Sequence, residues 1–134
     1  MKTRGWLIGL ASVVLITAPG WAGQADVIEV VARQLEAERW TFAVTVRHDD
    51  QDPAHWADWW RVRTVEGTEL SRRVLLHSHV GEQPFTRDGE VRIPRGVQRV
   101  VVEAHDKVHG LGGKTLTVDL TKPAGPGYTV RPLR

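Results

Sequence analysis

"DVIEVVARQLEAERWTFAVTVRH", residues 26–48, decides how the fold is read. Its second half alternates without a break. Phe42, Val44 and Val46 fall on one side of an extended chain and Thr41, Ala43 and Thr45 on the other, the period-two pattern of a half-buried strand. The first half is contested. Ala32, Gln34, Leu35 and Glu36 are good helix formers, and a helix over residues 27–39 competes with a strand. The β-branched opening "DVIEVV" favours the strand. With that choice the chain begins as two consecutive strands, and the rest of the sequence continues in kind.

Working outward, runs of strand length recur at 27–36, 40–48, 58–65, 72–80, 90–93, 97–105 and 114–120. Turn residues separate them: Asp49 to Pro53, Glu66-Gly67, Gly81 to Gly89, Pro94-Arg95-Gly96 and Gly110 to Gly113. Seven short strands with this punctuation predict an all-β, antiparallel seven-stranded sandwich similar to an immunoglobulin or fibronectin type III domain. At 134 residues with a 41% hydrophobic share, one domain is expected. Residues 23–120 form it, and residues 121–134, with Pro123, Gly125, Pro126, Gly127 and Pro132, read as a poorly ordered tail.

Residues 1–22 carry Lys2 and Arg4, an apolar run from Trp6 to Thr17, and small residues at Gly20 and Ala22. This is the pattern of a secretory signal peptide cut after Ala22, although a cut after Ala25 meets the same rule. A periplasmic or secreted protein with no membrane span after cleavage is expected. Cleavage after Ala22 removes two of the 18 basic residues and none of the 16 acidic ones, leaving the mature chain formally neutral. With no basic stripe, nucleic acid is a poor match as a partner. Cysteine is absent, so thiolate ligation is excluded.

The six histidines are where the chemistry concentrates. If consecutive strands run antiparallel, the second, fourth and sixth point the same way and end at one pole. His48 ends the second, His77 and His79 the fourth and His105 the sixth, while His55 and His109 lie in connections at that pole. Asp58, Glu82 and Asp106 belong to the same region. Imidazole and carboxylate without sulfur suit Zn(II) or Cu(II). The candidate metal ligands are therefore His48, His55, His77, His79, His109, Asp58, Glu82 and Asp106. His77 and His79, placed on one face of the fourth strand, would be roughly 7 Å apart at Cα, within reach of one ion. His105 faces outward by parity. Glu82, Gln83, Thr86 and Arg87 of "EQPFTR" are placed to orient ligands by hydrogen bonds. "GLGG", residues 110–113, precedes a strand and reads as tight turning, not a phosphate loop.

The segments "LLHSHVGEQPFTR", "HDDQDPAHWADWWRV" and "EAHDKVHGLGGKTLTVDL" resemble a group of small exported bacterial β-sandwich proteins of uncharacterised function, with His-rich "LLHxHxxEQPFTR" and "AHDxVHGxGGK" strings. The resemblance spans about residues 40–120 and implies no activity. "HSH" is also similar to the copper ligands of copper–zinc superoxide dismutase, but the disulfide and long metal-binding loop of that family are missing. A binding or delivery protein for a divalent transition metal is the leading expectation. The alternative is a metal-free envelope module contacting a protein or glycan, with Trp59 as a platform. A metal-dependent enzyme comes third, because no general base distinct from the ligands is present and no catalytic residue is assigned.

Overall fold

The computed structural model describes residues 23–134; the signal-peptide reading of residues 1–22 lies outside them. Nine strands and no helix are present among the described residues. They are β1 (Asp26–Gln34), β2 (Arg39–Arg47), β3 (Ala57–Thr64), β4 (Glu69–Val74), β5 (Phe85–Arg92), β6 (Arg99–Asp106), β7 (Leu116–Asp119), β8 (Ala124–Gly125) and β9 (Tyr128–Arg131). They form two sheets, a five-stranded one ordered β5-β2-β1-β9-β8 and a four-stranded one ordered β4-β3-β6-β7. All pairings are antiparallel except β1 with β9. The all-β sandwich expected from the sequence is the architecture found.

The contested first segment is a strand. Val27, Val30 and Ala32 are all fully buried, and the register shifts between Val27 and Glu29 where β1 pairs with β2. That bulge inserts one residue, so buried positions fall three apart before returning to a spacing of two. The helix formers Ala32 and Gln34 thus lie in a bulged strand, where burial outweighs their propensity. β2 follows its pattern without exception: Trp40, Phe42, Val44 and Val46 enter the core.

From the opposite sheet come Trp60, Val62, Val100, Val102 and Val118, all fully buried. Trp60 packs over Gly89 of β5, where an added Cβ would stand 2.7 Å from the indole Cη2. The glycine that reads as part of a turn is instead the space into which the largest core side chain fits. β5 accordingly extends through Asp88 and Gly89, well beyond the short run at 90–93.

Two further expectations change. The fourth strand ends at Val74, so His77 and His79 do not share a strand face. The ladder's last support is the Leu75 N–H, which donates to the Asp58 carbonyl at 2.8 Å; beyond it the chain turns away, with Leu76 largely exposed. The segment 121–134 carries β8 and β9, with Tyr128 and Val130 buried beside β1. Its proline and glycine content disguises a short alternating strand. Gly125 is needed there because the Tyr128 ring occupies the place of its side chain.

Connections β2–β3, β4–β5 and β6–β7 meet at one pole. The Ser78 hydroxyl donates to Asp52, the His79 N–H donates to Asp50 Oδ2 at 2.7 Å, and the Lys107 N–H donates to the Trp56 carbonyl at 3.2 Å. The segment leading into β1 joins them, starting with the buried Gly23.

Candidate metal centre

Two short loops present histidines by the same device. Residues 51–55 are closed by a pair of backbone hydrogen bonds between Gln51 and His55, at 2.6 and 3.1 Å. Residues 106–110 are closed by a like pair between Asp106 and Gly110, at 3.2 and 3.0 Å, with Gly110 at φ +70°. Asp106 tightens the second loop from inside. Its Oδ1 accepts the backbone N–H groups of Val108 at 2.9 Å and His109 at 2.7 Å, the local bonding that aspartate favours at strand ends.

The first loop delivers His55 and the second His109, against His48 at the end of β2. His55 Nε2 lies 3.2 Å from His109 Nδ1 and 3.2 Å from Asp106 Oδ1, and His109 Nδ1 lies 3.3 Å from Asp106 Oδ1. Nε2 of His48 is 3.9 Å from Asp106 Oδ2. Ligand atoms of His48, His55 and Asp106 all fall within 4.8 Å of one another. The Gly23 carbonyl oxygen adds a fifth donor, 3.0 Å from His48 Nε2 and 3.1 Å from His55 Nε2.

Donors around a tetrahedral zinc, each about 2.0–2.1 Å from the ion, are separated by about 3.3–3.4 Å. The spacings among His55 Nε2, His109 Nδ1 and Asp106 Oδ1, 3.2, 3.2 and 3.3 Å, match that edge length.

Proton counting makes the same point. His48 Nδ1 pairs closely with Asp50 Oδ1, the two side chains being fully buried. If that proton is committed to Asp50 and the ring carries no second one, the Nε2 lone pair faces the Gly23 oxygen and two lone pairs oppose each other. At His55 Nε2, one nitrogen faces a carbonyl, a carboxylate and another imidazole nitrogen. Asp106 Oδ2 is buried with no hydrogen-bond partner at all, an omission native proteins seldom leave unexplained. Burial opposes the charge of Asp106, but the N–H groups of His109 and Val108, with His48 and His109 nearby, hold its carboxyl below the ordinary aspartate value. It is a carboxylate at neutral pH.

Of the eight candidates read from the sequence, the structure brings together His48, His55, His109 and Asp106. The other four lie elsewhere. His79 is buried, stacked on Phe85 at 3.8 Å between centroids, and its Nε2 is 2.9 Å from Arg87 Nη2. A guanidinium only donates, so Nε2 accepts and the ring proton sits on Nδ1. Burial, Arg87 and His77 all depress the His79 pKa. Nδ1 is left 3.8 Å from Asp50 Oδ2 and without a hydrogen bond. His77 is exposed, its Nδ1 2.9 Å from the Ser78 carbonyl oxygen. Glu82 is exposed in the same loop. Asp58 pairs with His105 Nδ1 at 2.5 Å on the outer face of the four-stranded sheet. There Trp59 of the central β3 stands between its neighbours, His105 of β6 stacked at 4.4 Å and Arg72 of β4 at 3.8 Å. The Trp59 ring is thus packed by two side chains and is less open than the aromatic platform expected of it.

Asp50, a carboxylate of this pole that is not among the eight candidates, ties the cluster together. One oxygen fixes His48 and accepts the Ala57 N–H at 3.0 Å; the other accepts the His79 N–H. Its signal was the spacing in "HDD", which returns Asp50 to the inward side that His48 occupies. Gln83 supports the same arrangement, accepting the His48 N–H at 2.9 Å and donating to the His79 carbonyl at 3.1 Å.

Fold and site together define an all-β protein of two sheets with a buried His/Asp cluster at one pole. The chain is similar to a protein of Halomicrobium mukohataei named "Putative lipoprotein", at 42% identity over 96 residues, which is 72% of this chain and 47% of that protein. The chain thus spans about half the length of the curated relative it matches. No family model matches it, and no solved structure does. Among the described residues no helix is long and apolar enough to cross a membrane.

Proposed function

We propose that this is an exported, envelope-associated protein that binds one divalent transition metal, Zn(II) or Cu(II), through His48, His55, His109 and Asp106, for binding or delivery. The observation carrying this reading is the convergence of His55 Nε2, His109 Nδ1 and Asp106 Oδ1 at tetrahedral edge spacing, with His48 Nε2 3.9 Å from the other Asp106 oxygen, Oδ2, which has no hydrogen-bond partner. Asp50 supplies the carboxylate behind His48 that metal-ligating histidines usually have. The apolar N-terminal run and the relative's name support export. His48 and Asp106 form a buried floor and His109 an exposed rim, so an ion could enter and leave from the His109 side. The test is elemental analysis of the purified protein with calorimetric titration of Zn(II) and Cu(II). One ion per chain, lost on combining His55→Ala with His109→Ala, is expected; no stoichiometric uptake by the unaltered protein overturns the reading.

A second reading, contact with an envelope protein, is favoured by Leu76, Val80, Val108 and Leu111, apolar side chains exposed in the loops of this same pole. It needs no ion, and the same titration separates the two.

A further inference from the structure

Gly23 is buried although it is the first of the described residues. A Cβ on it would stand 2.5 Å from His109 Cε1 and 3.1 Å from Nδ1, and its φ of +142° is one that other residues rarely adopt. Its carbonyl oxygen is inserted between His48 and His55. The domain therefore places one particular residue, with no side chain permitted, against three of the four ligands proposed above.

The residues after it are built in as well. Ala25 lies in the core, and Gly113 approaches so closely that a Cβ there would be 1.9 Å from the Ala25 carbonyl oxygen. A Cβ on Gly112 would be 2.8 Å from Gln24 Nε2. The Val27 N–H donates to the Lys114 carbonyl at 2.8 Å, and the Lys114 N–H donates to Asp26 Oδ1 at 2.6 Å. Of the two cleavage positions that the sequence permits, a cut after Ala25 would remove packed residues and the Gly23 carbonyl. A cut after Ala22 leaves every one of these contacts intact.

We infer that the chain is cleaved between Ala22 and Gly23 and that the Gly23 α-amino group so released is a ligand of the metal centre, which is complete only in the processed protein. This rests on the metal reading above. Hydrolysis adds water across the Ala22–Gly23 amide: Ala22 departs with the carboxylate, and the Gly23 nitrogen becomes an amine. Before the cut, that nitrogen's electron pair is delocalised into the peptide bond and the neutral amide is no ligand unless it gives up its proton; afterwards the amine pair is free to ligate. Three covalent bonds separate it from the Gly23 oxygen, so it lies within about 2.7–3.6 Å of an atom already in the cluster. Amine and carbonyl of one residue can close a five-membered chelate ring on an ion that the imidazoles hold.

The experiment begins with the full chain, expressed for export and purified, its N-terminus read by mass spectrometry. Gly23 is the expected first residue; Asp26 would overturn the inference. Cu(II) affinity is then measured for three forms: the exported product, the same product acetylated on its α-amine, and a chain that keeps Ala22. Thermal melts establish that each form is folded. A drop of tenfold or more in the acetylated and extended forms, with a changed copper EPR spectrum, is expected. Equal tight binding in all three removes the amine from the site and leaves the histidine centre standing. Binding in none overturns the centre together with the inference. Should the extended chain fail to fold, the acetylated form decides alone.

Discussion

Nδ1 of His109 and Nε2 of His55 face each other across 3.2 Å, from loops 54 residues apart in sequence. Neither ring reaches this position through the regular strand ladder. Each is carried on a five-residue loop closed by its own backbone hydrogen bonds, so the pair is aimed before any ligand arrives. Removing either ring should cost affinity without costing the fold.

His55→Ala and His109→Ala are each expected to weaken Zn(II) or Cu(II) binding by roughly 100-fold or more, while the melting temperature of the metal-free protein changes little, since both sites are partly or largely exposed. His79→Ala should do the reverse. It empties the slot against Phe85 and takes the imidazole acceptor from Arg87 Nη2, at a cost on the order of 2 kcal/mol, with metal affinity held. Calorimetric titration beside thermal melts checks both; an affinity loss in His79→Ala equal to that in His109→Ala would contradict the assignment.

Asp50→Asn tests the residue behind the ligands. The amide keeps one acceptor but loses the charge that holds the His48 proton, and metal affinity should fall roughly 10- to 100-fold. The substitution adds no volume. Unchanged affinity would show that His48 needs no orienting partner.

Acidification should destabilise the metal-free protein through His79. Its pKa is depressed in the folded chain, so the unfolded chain binds more protons between that depressed value and the ordinary one near 6.5. Stability from this group is full above about pH 6.5 and is lost as pH falls below it. His79→Gln, which can still accept from Arg87, should show a shallower fall in melting temperature between about pH 7.5 and 5. Parallel curves for the two proteins would exclude His79 as the source.

Gly89→Ala forces a methyl group to 2.7 Å from the Trp60 ring in a fully packed core. A loss of about 1–3 kcal/mol is expected from denaturant unfolding, with metal affinity unaffected. A neutral result would mean that the indole has room to move aside.

How far the sequence could be read follows from where its pattern was local. β2 was legible because four buried residues alternate with nothing inserted among them. β1 was ambiguous because Ala32, Gln34, Leu35 and Glu36 are good helix formers, and the bulge interrupts the alternation that would have outweighed them; β9 was hidden because two buried residues stand among prolines and glycines. The shared pole followed from strand direction alone, and it held for His48, His55, His77, His79 and His109. The shared strand face of His77 and His79 failed because the reading extended β4 past Val74, where no partner strand continues and side chains of Asp50 and Gln83 take over the backbone bonding. Asp106 was legible as a neighbour of His109, but its unpartnered oxygen belongs to the three-dimensional arrangement and has no counterpart in spacing. Gly23 gave no sign: its importance lies in what surrounds it.

Gly112 and Gly113 press on Gln24 and Ala25, so the segment that brings Gly23 to the cluster is held by the connection before β7. The groups of the proposed centre are drawn from residues 23, 48, 55, 106 and 109, and the segment that carries the first of them is held by residues 112–114. If the chain is exported N-terminus first, as proposed above, the earliest of these groups would emerge long before the last. On that reading an ion could be held in the proposed geometry only after most of the domain had been delivered, so metal capture would come late in folding.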